Sequence, residues 1–355
     1  MKKAFILLMF ILICNITFGQ NKAEAEKLVN EGIAYHDKGD FEGAITRYDK
    51  ALILDKYNLL ALAEKAYSLL SLEKYDEAIL YCQKAIVAHP EDKELGSVYV
   101  TYGNALDELK KTDQSIEIYD EGIKQFPNYY MLYFNKGISL SSVKKYEEAI
   151  SSFQKAIMIN PNHASSHNAI AQLSQMNEKR IPSLLAFCRF LVIEPQSNRA
   201  KANLSSLQKI MKGNVKETGK KSVTINLNSN LFGDTLANGI SKENSFTSTD
   251  LILAMDAAMD FDKKNIKKTE VEQFLRKFET VCSSLKETKK DNSGFFWEYY
   301  VPYFTEMKDK KLLETFAYIA FASSEDAEIS KWLKTHQNEI DNFFEWSKSF
   351  EWKSN

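Results

Sequence analysis

The stretch Tyr130–Pro161, YMLYFNKGISLSSVKKYEEAISSFQKAIMINP, decides the fold of this chain. Apolar residues recur every three or four positions in each half of it, which is the period of amphipathic helices rather than of strands. Gly137 and Ala149 are small enough to let two helices approach closely, and Pro161 has no backbone N–H and ends the second helix. The stretch is therefore predicted to be a helical hairpin.

The same small and aromatic positions recur before and after this hairpin, and the pattern resembles the tetratricopeptide repeat, whose unit is about 34 residues long. The positions are Leu28, Gly32, Tyr35, Ala44, Tyr48 and Ala51; Leu62, Ala66, Leu69, Ala78, Cys82 and Ala85; Tyr99, Gly103, Leu106, Ser115, Tyr119 and Gly122; Tyr133, Gly137, Leu140, Ala149, Phe153 and Ala156; and, more weakly, His167, Ala171, Ser174, Ser183, Phe187 and Phe190. A single hairpin cannot bury its own apolar face, so only stacked neighbours make a continuous core.

We therefore predict an all-α protein with four parts. Residues 1–19 are a signal peptide, and residues 20–212 form a superhelix of about five hairpins with a capping helix at Asn198–Lys212. Residues 213–248 are a polar linker with at most one short strand at Ser222–Asn228, and residues 249–355 are a separate helical C-terminal domain without the repeat period.

The resemblance also implies a binding groove, because the first helices of successive repeats in this family line a concave surface that takes a peptide segment of a partner. The groove residues would be Val29, Ile33, Leu60, Ala63, Tyr67, Val100, Asn104, Met131, Phe134, Ile138, Asn168 and Gln172. This apolar and aromatic set argues against the chaperone-binding members, which grip a terminal carboxylate with lysine, arginine and asparagine. The predicted partner is a protein segment that buries apolar side chains, unless the chain's own C-terminal region covers part of the groove.

The first residues predict export. Lys2 and Lys3 precede an apolar run from Ala4 to Ile13, and Thr17 and Gly19 have the spacing that a signal peptidase requires. We expect cleavage before Gln20 and a periplasmic or secreted protein, with an uncleaved membrane anchor as the alternative. Cysteines 82, 188 and 282 lie far apart inside helical patterns, which predicts buried side chains, although one pair could join in an oxidising compartment.

The C-terminal region carries the strongest local bias, seven aromatic residues between Phe295 and Phe304. They are either core or a binding platform, and core is favoured because side chains on every side of one helix cannot serve one platform. We further predict a helix capped by Thr249 or Asp250, a buried central helix over residues 312–322, and one long helix over residues 325–352.

The sequence contains few candidates for catalytic or metal-binding residues. It contains no HExxH, GxSxG, Walker or dinucleotide pattern, and a net charge of −2 with interspersed lysines makes nucleic acid an unsuitable partner. His163 and His167 lie four apart but lack a third ligand nearby, so no metal or cofactor is predicted. We expect a non-catalytic scaffold. The alternatives are a hydrolase or transferase using Asp260 and Asp262 or His336, and an envelope-complex assembly factor that self-associates.

Overall fold

The computed structural model describes residues 21–213, 215–219, 222–225 and 244–353. The predicted signal peptide at residues 1–19 and residues 226–243 of the predicted linker lie outside these ranges. The chain divides into two compact units, Met1–Ser152 and Phe153–Asn355. The domain limits placed at residues 212 and 249 stay a prediction. Within the described ranges, no helix is both long and apolar enough to span a bilayer.

The first unit is built of helical hairpins, as the repeat pattern predicts. Its helices are α1 (21–36), α2 (Phe41–Leu54), α3 (Leu59–Ser71), α4 (Tyr75–Ala88), α5 (Leu95–Glu108), α6 (Thr112–Gln125), α7 (Tyr130–Ser142) and the first half of α8 (Tyr146–Ile159). Each helix from α2 to α6 contacts the next one in the chain, and the first helices of neighbouring hairpins, α3 with α5 and α5 with α7, also touch.

The small signature positions allow this close packing. A Cβ atom added at Gly103 of α5 would lie 2.3 Å from the ring of Tyr119 on α6, a distance that no carbon pair tolerates. Side-chain caps start two of the helices, since Asp40 accepts a hydrogen bond from the Gly43 N–H and Asn58 from the Ala61 N–H, both at 2.9 Å. The repeat signature is thus a set of packing and capping requirements.

The second unit contains the end of α8 and all later elements. Its helices are α9 (Ala164–Met176), α10 (Arg180–Ile193), α11 (Asn198–Lys212), α12 (Thr247–Ala258), α13 (Glu270–Thr288), α14 (Phe295–Asp309), α15 (Leu313–Ala320), α16 (Ala327–Thr335) and α17 (Gln337–Ser349), with a short 3-10 helix at Met259–Phe261. Strands β1 (Val215–Gly219) and β2 (Ser222–Ile225) pair antiparallel with Val215 opposite Ile225. The single strand expected in the linker is therefore half of a hairpin.

Helix α10 is the centre of the second unit. Every residue from Ile181 to Val192 is buried, and α9, α11, α12, α14 and α15 all contact this helix. The helix expected over residues 312–322 is buried as predicted, but its central position is wrong, because α15 spans Leu313–Ala320 and is one of the helices that cover α10. The aromatic residues of α14 are largely buried in this core, which confirms the core interpretation.

Two expected helix boundaries are also wrong. Helix α12 begins at Thr247, because Thr249 and Asp250 make tertiary contacts instead of capping it: Thr249 bonds Ser284 at 2.9 Å and Asp250 pairs with Arg180 at 3.0 Å. The long helix expected over residues 325–352 is broken at His336, whose ring stacks on Trp332 with 4.2 Å between centroids.

Candidate partner-binding surface

Val29 does not lie on a binding surface. Its side chain is fully buried with Ala25, Ala44, Tyr48 and Ala61 in the core of the first hairpin. The expectation that Val29 lines the groove is therefore wrong, because position 29 of α1 faces α2 and α3 rather than solvent.

Three of the predicted groove residues are exposed in the first unit. Leu60 and Tyr67 of α3 and Ile138 of α7 keep 48%, 49% and 47% of their surface accessible. The partly buried residues of the predicted set in this unit are Ile33, Ala63, Val100, Asn104, Met131 and Phe134. We call these nine residues the first-helix face. Helix α5 contacts both α3 and α7, so the face is continuous across three neighbouring helices.

Hydrogen bonds and ring stacking fix part of this face. The His36 ring stacks on Tyr67 with 4.8 Å between centroids, and His36 Nδ1 lies 2.7 Å from the Ser68 hydroxyl. The Tyr119 hydroxyl donates to Asn104 Oδ1 at 2.7 Å, which leaves the amide N–H groups of Asn104 as the donors it can offer to a peptide. Tyr67 and Asn104 are thus held in defined orientations before any partner arrives.

The charge on this side of α3 is negative. Glu64 lies one helical turn after Leu60, and burial together with nearby Asp37 raises the pKa of its carboxyl group. Within the described ranges Glu64 makes no ion pair. Sequence reasoning missed Glu64, although its four-residue spacing from Leu60 places both on the same side of the helix.

The remaining two predicted groove residues lie in the second unit. Asn168 is partly buried on α9, and its Oδ1 accepts a hydrogen bond from the exposed Gln172 amide at 3.3 Å. Their place in a groove stays a prediction.

The side chains considered for catalysis or metal binding make structural contacts. Asp260 binds Arg276 and lies 2.6 Å from Lys277 Nζ. His167 is fully buried, with Nδ1 2.7 Å from the Tyr300 hydroxyl and Nε2 3.0 Å from the Pro161 carbonyl oxygen. Both ring nitrogens of His167 are therefore engaged. Among the described residues no cluster of three or more metal-ligating side chains was found.

Three tetratricopeptide repeat family models match the chain, over residues 29–93, 96–129 and 130–163. Residues 29–163 belong to the tetratricopeptide repeat family. These repeats are protein-interaction modules, so the chain carries a scaffold of that kind. The match confirms the resemblance, and it ends before the helices of the second unit that cover α10.

The similar curated proteins match only part of this chain. The small glutamine-rich tetratricopeptide repeat-containing protein of Dictyostelium discoideum is 34% identical over 110 residues, 31% of this chain and 32% of the relative. The Hsp70-Hsp90 organizing protein of Triticum aestivum is 30% identical over 176 residues, 40% of this chain and 30% of the relative. The chain thus spans about a third of the length of these curated relatives.

A solved structure of Pseudomonas aeruginosa pilF is similar at 18% identity and a TM-score of 0.46, covering 72% of this chain and 99% of that one. A likeness at this level carries no argument about function.

Proposed function

We propose that this protein is a non-catalytic scaffold whose first-helix face binds a segment of a partner protein through apolar side chains. The observation that carries the proposal is the exposure of Leu60 and Tyr67 on α3 and of Ile138 on α7, two first helices that both contact α5. Large apolar and aromatic side chains that are held in place and half exposed are typical of binding hot spots. Because the repeat array is rigid, the partner's segment bears most of the ordering cost.

The charge near α3 refines the chemistry of the partner. Glu64 carries a carboxyl group with a raised pKa and no cation beside it among the described residues. A lysine or arginine of the partner would supply that cation, and the charged pair would then share a partly desolvated site. We therefore infer a segment with apolar anchors and at least one basic residue.

The named function of the wheat relative suggests a second candidate, the tail of a chaperone of the Hsp70 or Hsp90 class. Binding of a terminal carboxylate would require cations on the first-helix face, and Ala63 and Val100 stand at two positions where a lysine would help most. Export of the chain through residues 1–19 is a further part of the proposal, and it rests on the sequence alone.

The test is partner capture by the full chain from a lysate of the source cells. The double variant Tyr67→Ala/Phe134→Ala should lose the partner that the wild type retains, while circular dichroism stays helical. The matched control is Met255→Ser/Ile266→Ser, which removes two exposed apolar side chains that belong to neither surface of the repeats and should leave capture intact. Unchanged capture by Tyr67→Ala/Phe134→Ala would refute the assignment. Competition by a peptide with a free C-terminal carboxylate, but not by its amide, would favour the chaperone tail.

A further inference from the structure

A second surface of the first unit is open and apolar. A groove of about 970 Å³ lies between α2 and α4, with Leu62 of α3 among its lining residues. We call it the second-helix groove. Its apolar lining includes Leu52, Ile53, Tyr57, Leu62, Leu80, Tyr81 and Val87. None of these residues belongs to the first-helix face.

The apolar residues of this groove are unusually accessible. Ile53 and Val87 expose 82% and 81% of their surface, and Leu80 and Tyr57 are also exposed. Ile53 and Val87 occupy the same position in consecutive repeats, two residues after the small residues Ala51 and Ala85. The groove therefore presents a repeated apolar position to solvent.

The repeat itself does not require an apolar residue at this position. In the third repeat the equivalent residue, two after Gly122, is Lys124, and the position equivalent to Leu80 is Glu117. Both Lys124 and Glu117 are exposed, as charged residues on a solvated helix face should be. Apolar side chains at these positions are therefore not required by the repeat, and what distinguishes Ile53, Leu80 and Val87 is their exposure.

In the second unit, other helices of the chain cover the residues at the positions of Leu80 and Val87. Helix α10 of the fifth repeat carries Leu185 and Val192 at the positions of Leu80 and Val87, and both are buried. Its Arg189, equivalent to Lys84, lies over the ring of Tyr303, which α14 supplies. In the fifth repeat, an aromatic helix is thus among the elements that pack on the second helix.

The charged residues at the second-helix groove predict the charge of a segment that would bind there. Lys56 and Lys84 are exposed, and each ammonium group lies over a tyrosine ring, 5.2 Å from the Tyr57 centroid and 4.4 Å from the Tyr81 centroid. The one carboxylate in the lining, Asp49, is neutralised by the ammonium group of buried Lys65. Two exposed cations beside an apolar groove complement an apolar segment that carries carboxylates.

We propose that the second-helix groove docks an acidic amphipathic helix of a partner protein. The partner's apolar residues would cover Ile53, Leu80 and Val87, and its carboxylates would lie beside Lys56 and Lys84. This mode of binding is helix-in-groove recognition. The second-helix groove carries the cations Lys56 and Lys84, whereas the first-helix face carries the acidic Glu64. The protein then has two docking surfaces with partners of opposite charge.

The test uses two designed peptides with identical apolar residues, the acidic EELLEEFLEELLEE and its basic twin KKLLKKFLKKLLKK, titrated against the full chain. We expect the acidic peptide to bind about tenfold more tightly than its twin, because both lysines favour it. The variant Ile53→Ser/Val87→Ser should lose that binding, and Lys56→Glu/Lys84→Glu should reverse the preference between the peptides.

Two controls separate this surface from the others. The variant Lys124→Ser changes the equivalent position of the third repeat and should bind like the wild type. Tyr67→Ala/Phe134→Ala should also bind the acidic peptide normally, so failure of the first-helix face and failure of this groove are distinguishable. Equal affinity for the two peptides, or binding that survives Ile53→Ser/Val87→Ser, would overturn the proposal. Binding to phosphatidylglycerol vesicles that needs Ile53 and Val87, without any peptide preference, would assign the groove to a lipid surface instead.

Discussion

Helices α4 and α10 occupy the same place in their repeats and have opposite environments. Helix α4 buries only Ala78, Cys82 and Ala85, the small residues that face its own hairpin, whereas α10 buries every residue from Ile181 to Val192. The difference arises from residues far along the chain, since α14 and α15 cover α10. A repeat helix therefore has a fixed inner face and an outer face whose environment depends on what the rest of the chain supplies.

The same comparison holds for the first signature position. Leu62 is an apolar core residue of the second repeat, and its equivalent in the fifth repeat is His167, equally buried but hydrogen-bonded to Tyr300 of α14. A polar residue is tolerated at a core position because a later helix provides its hydrogen-bond partner. The first signature position of the fifth repeat thus depends on a later helix for a hydrogen bond, whereas that of the second repeat does not.

The largest expected effect comes from the matched substitutions Leu185→Ala in α10 and Leu80→Ala in α4. Leu185 is fully buried, so its truncation should lower the free energy of unfolding of the second unit by about 2–5 kcal/mol. Leu80→Ala should change stability by less than about 0.5 kcal/mol, because that side chain is half exposed. Urea unfolding followed by circular dichroism reports both units, and tryptophan fluorescence reports the second unit alone, since all four tryptophans of the chain lie beyond residue 153. Equal effects of the two substitutions would contradict the comparison.

Arg189 and Lys84 form the second matched pair. The Arg189 guanidinium donates to Asn162 Oδ1 at 2.7 Å and to the Tyr303 hydroxyl at 3.1 Å, in a fork that lysine cannot reproduce. Arg189→Lys should lower the free energy of unfolding of the second unit by about 1.5–3 kcal/mol. The control Lys84→Arg, at an exposed site, should be neutral in the same urea titration followed by circular dichroism. Wild-type stability of Arg189→Lys would show that the fork does not hold α14 to α10.

His167 gives the third and smallest effect near neutral pH. Complete burial, together with the positive charge of nearby Arg189, lowers the pKa of His167 to about 3, whereas the hydrogen bond between Nε2 and the Pro161 carbonyl oxygen opposes the shift. Below the unfolded-state pKa of about 6.5, only the unfolded chain gains a proton. The second unit should therefore lose about 1.4 kcal/mol of stability per pH unit as the pH falls from 6.5 towards 3.

The measurement for His167 is the difference between wild type and His167→Gln across this pH range, because glutamine can make both hydrogen bonds but does not titrate. We expect the variant to have the shallower pH dependence. His336→Gln, at the break between α16 and α17, is the control for removal of a histidine elsewhere. Parallel pH curves for wild type and His167→Gln would show that the buried ring does not resist protonation.

The sequence predicts the inner faces of the repeats well and the outer faces poorly. Gly103 opposite Tyr119 follows from the repeat period, because close helix packing has the same requirement in every unit. The burial of α10 on every side involves α14 and α15, more than 100 residues later, and no local pattern contains it. Ile53 and Val87 look like ordinary apolar residues of a helix, and only their exposure in the structure distinguishes them from the buried Val192.

The exposed residues of the proposed binding surface could be predicted for the same reason. Leu60, Tyr67 and Ile138 follow from the resemblance, since first helices present the same positions in each repeat. The burial of Val29 does not follow from it, because that side chain packs with Ala44 and Tyr48 of α2 and Ala61 of α3. Glu64 was overlooked because its significance lies in the proximity of Asp37, a tertiary relation between α3 and the turn after α1.

The most direct test of the proposed scaffold function is site-specific photo-crosslinking of the full chain in source-cell lysate. Benzoylphenylalanine replaces Tyr67 on the first-helix face or, as a control, Lys124 on the outer face of the third repeat, and mass spectrometry identifies the crosslinked segment. We predict an adduct at position 67 to one partner segment that carries apolar and basic residues, and no such adduct at position 124. Crosslinks of equal yield at both positions, or none at position 67, would contradict the account.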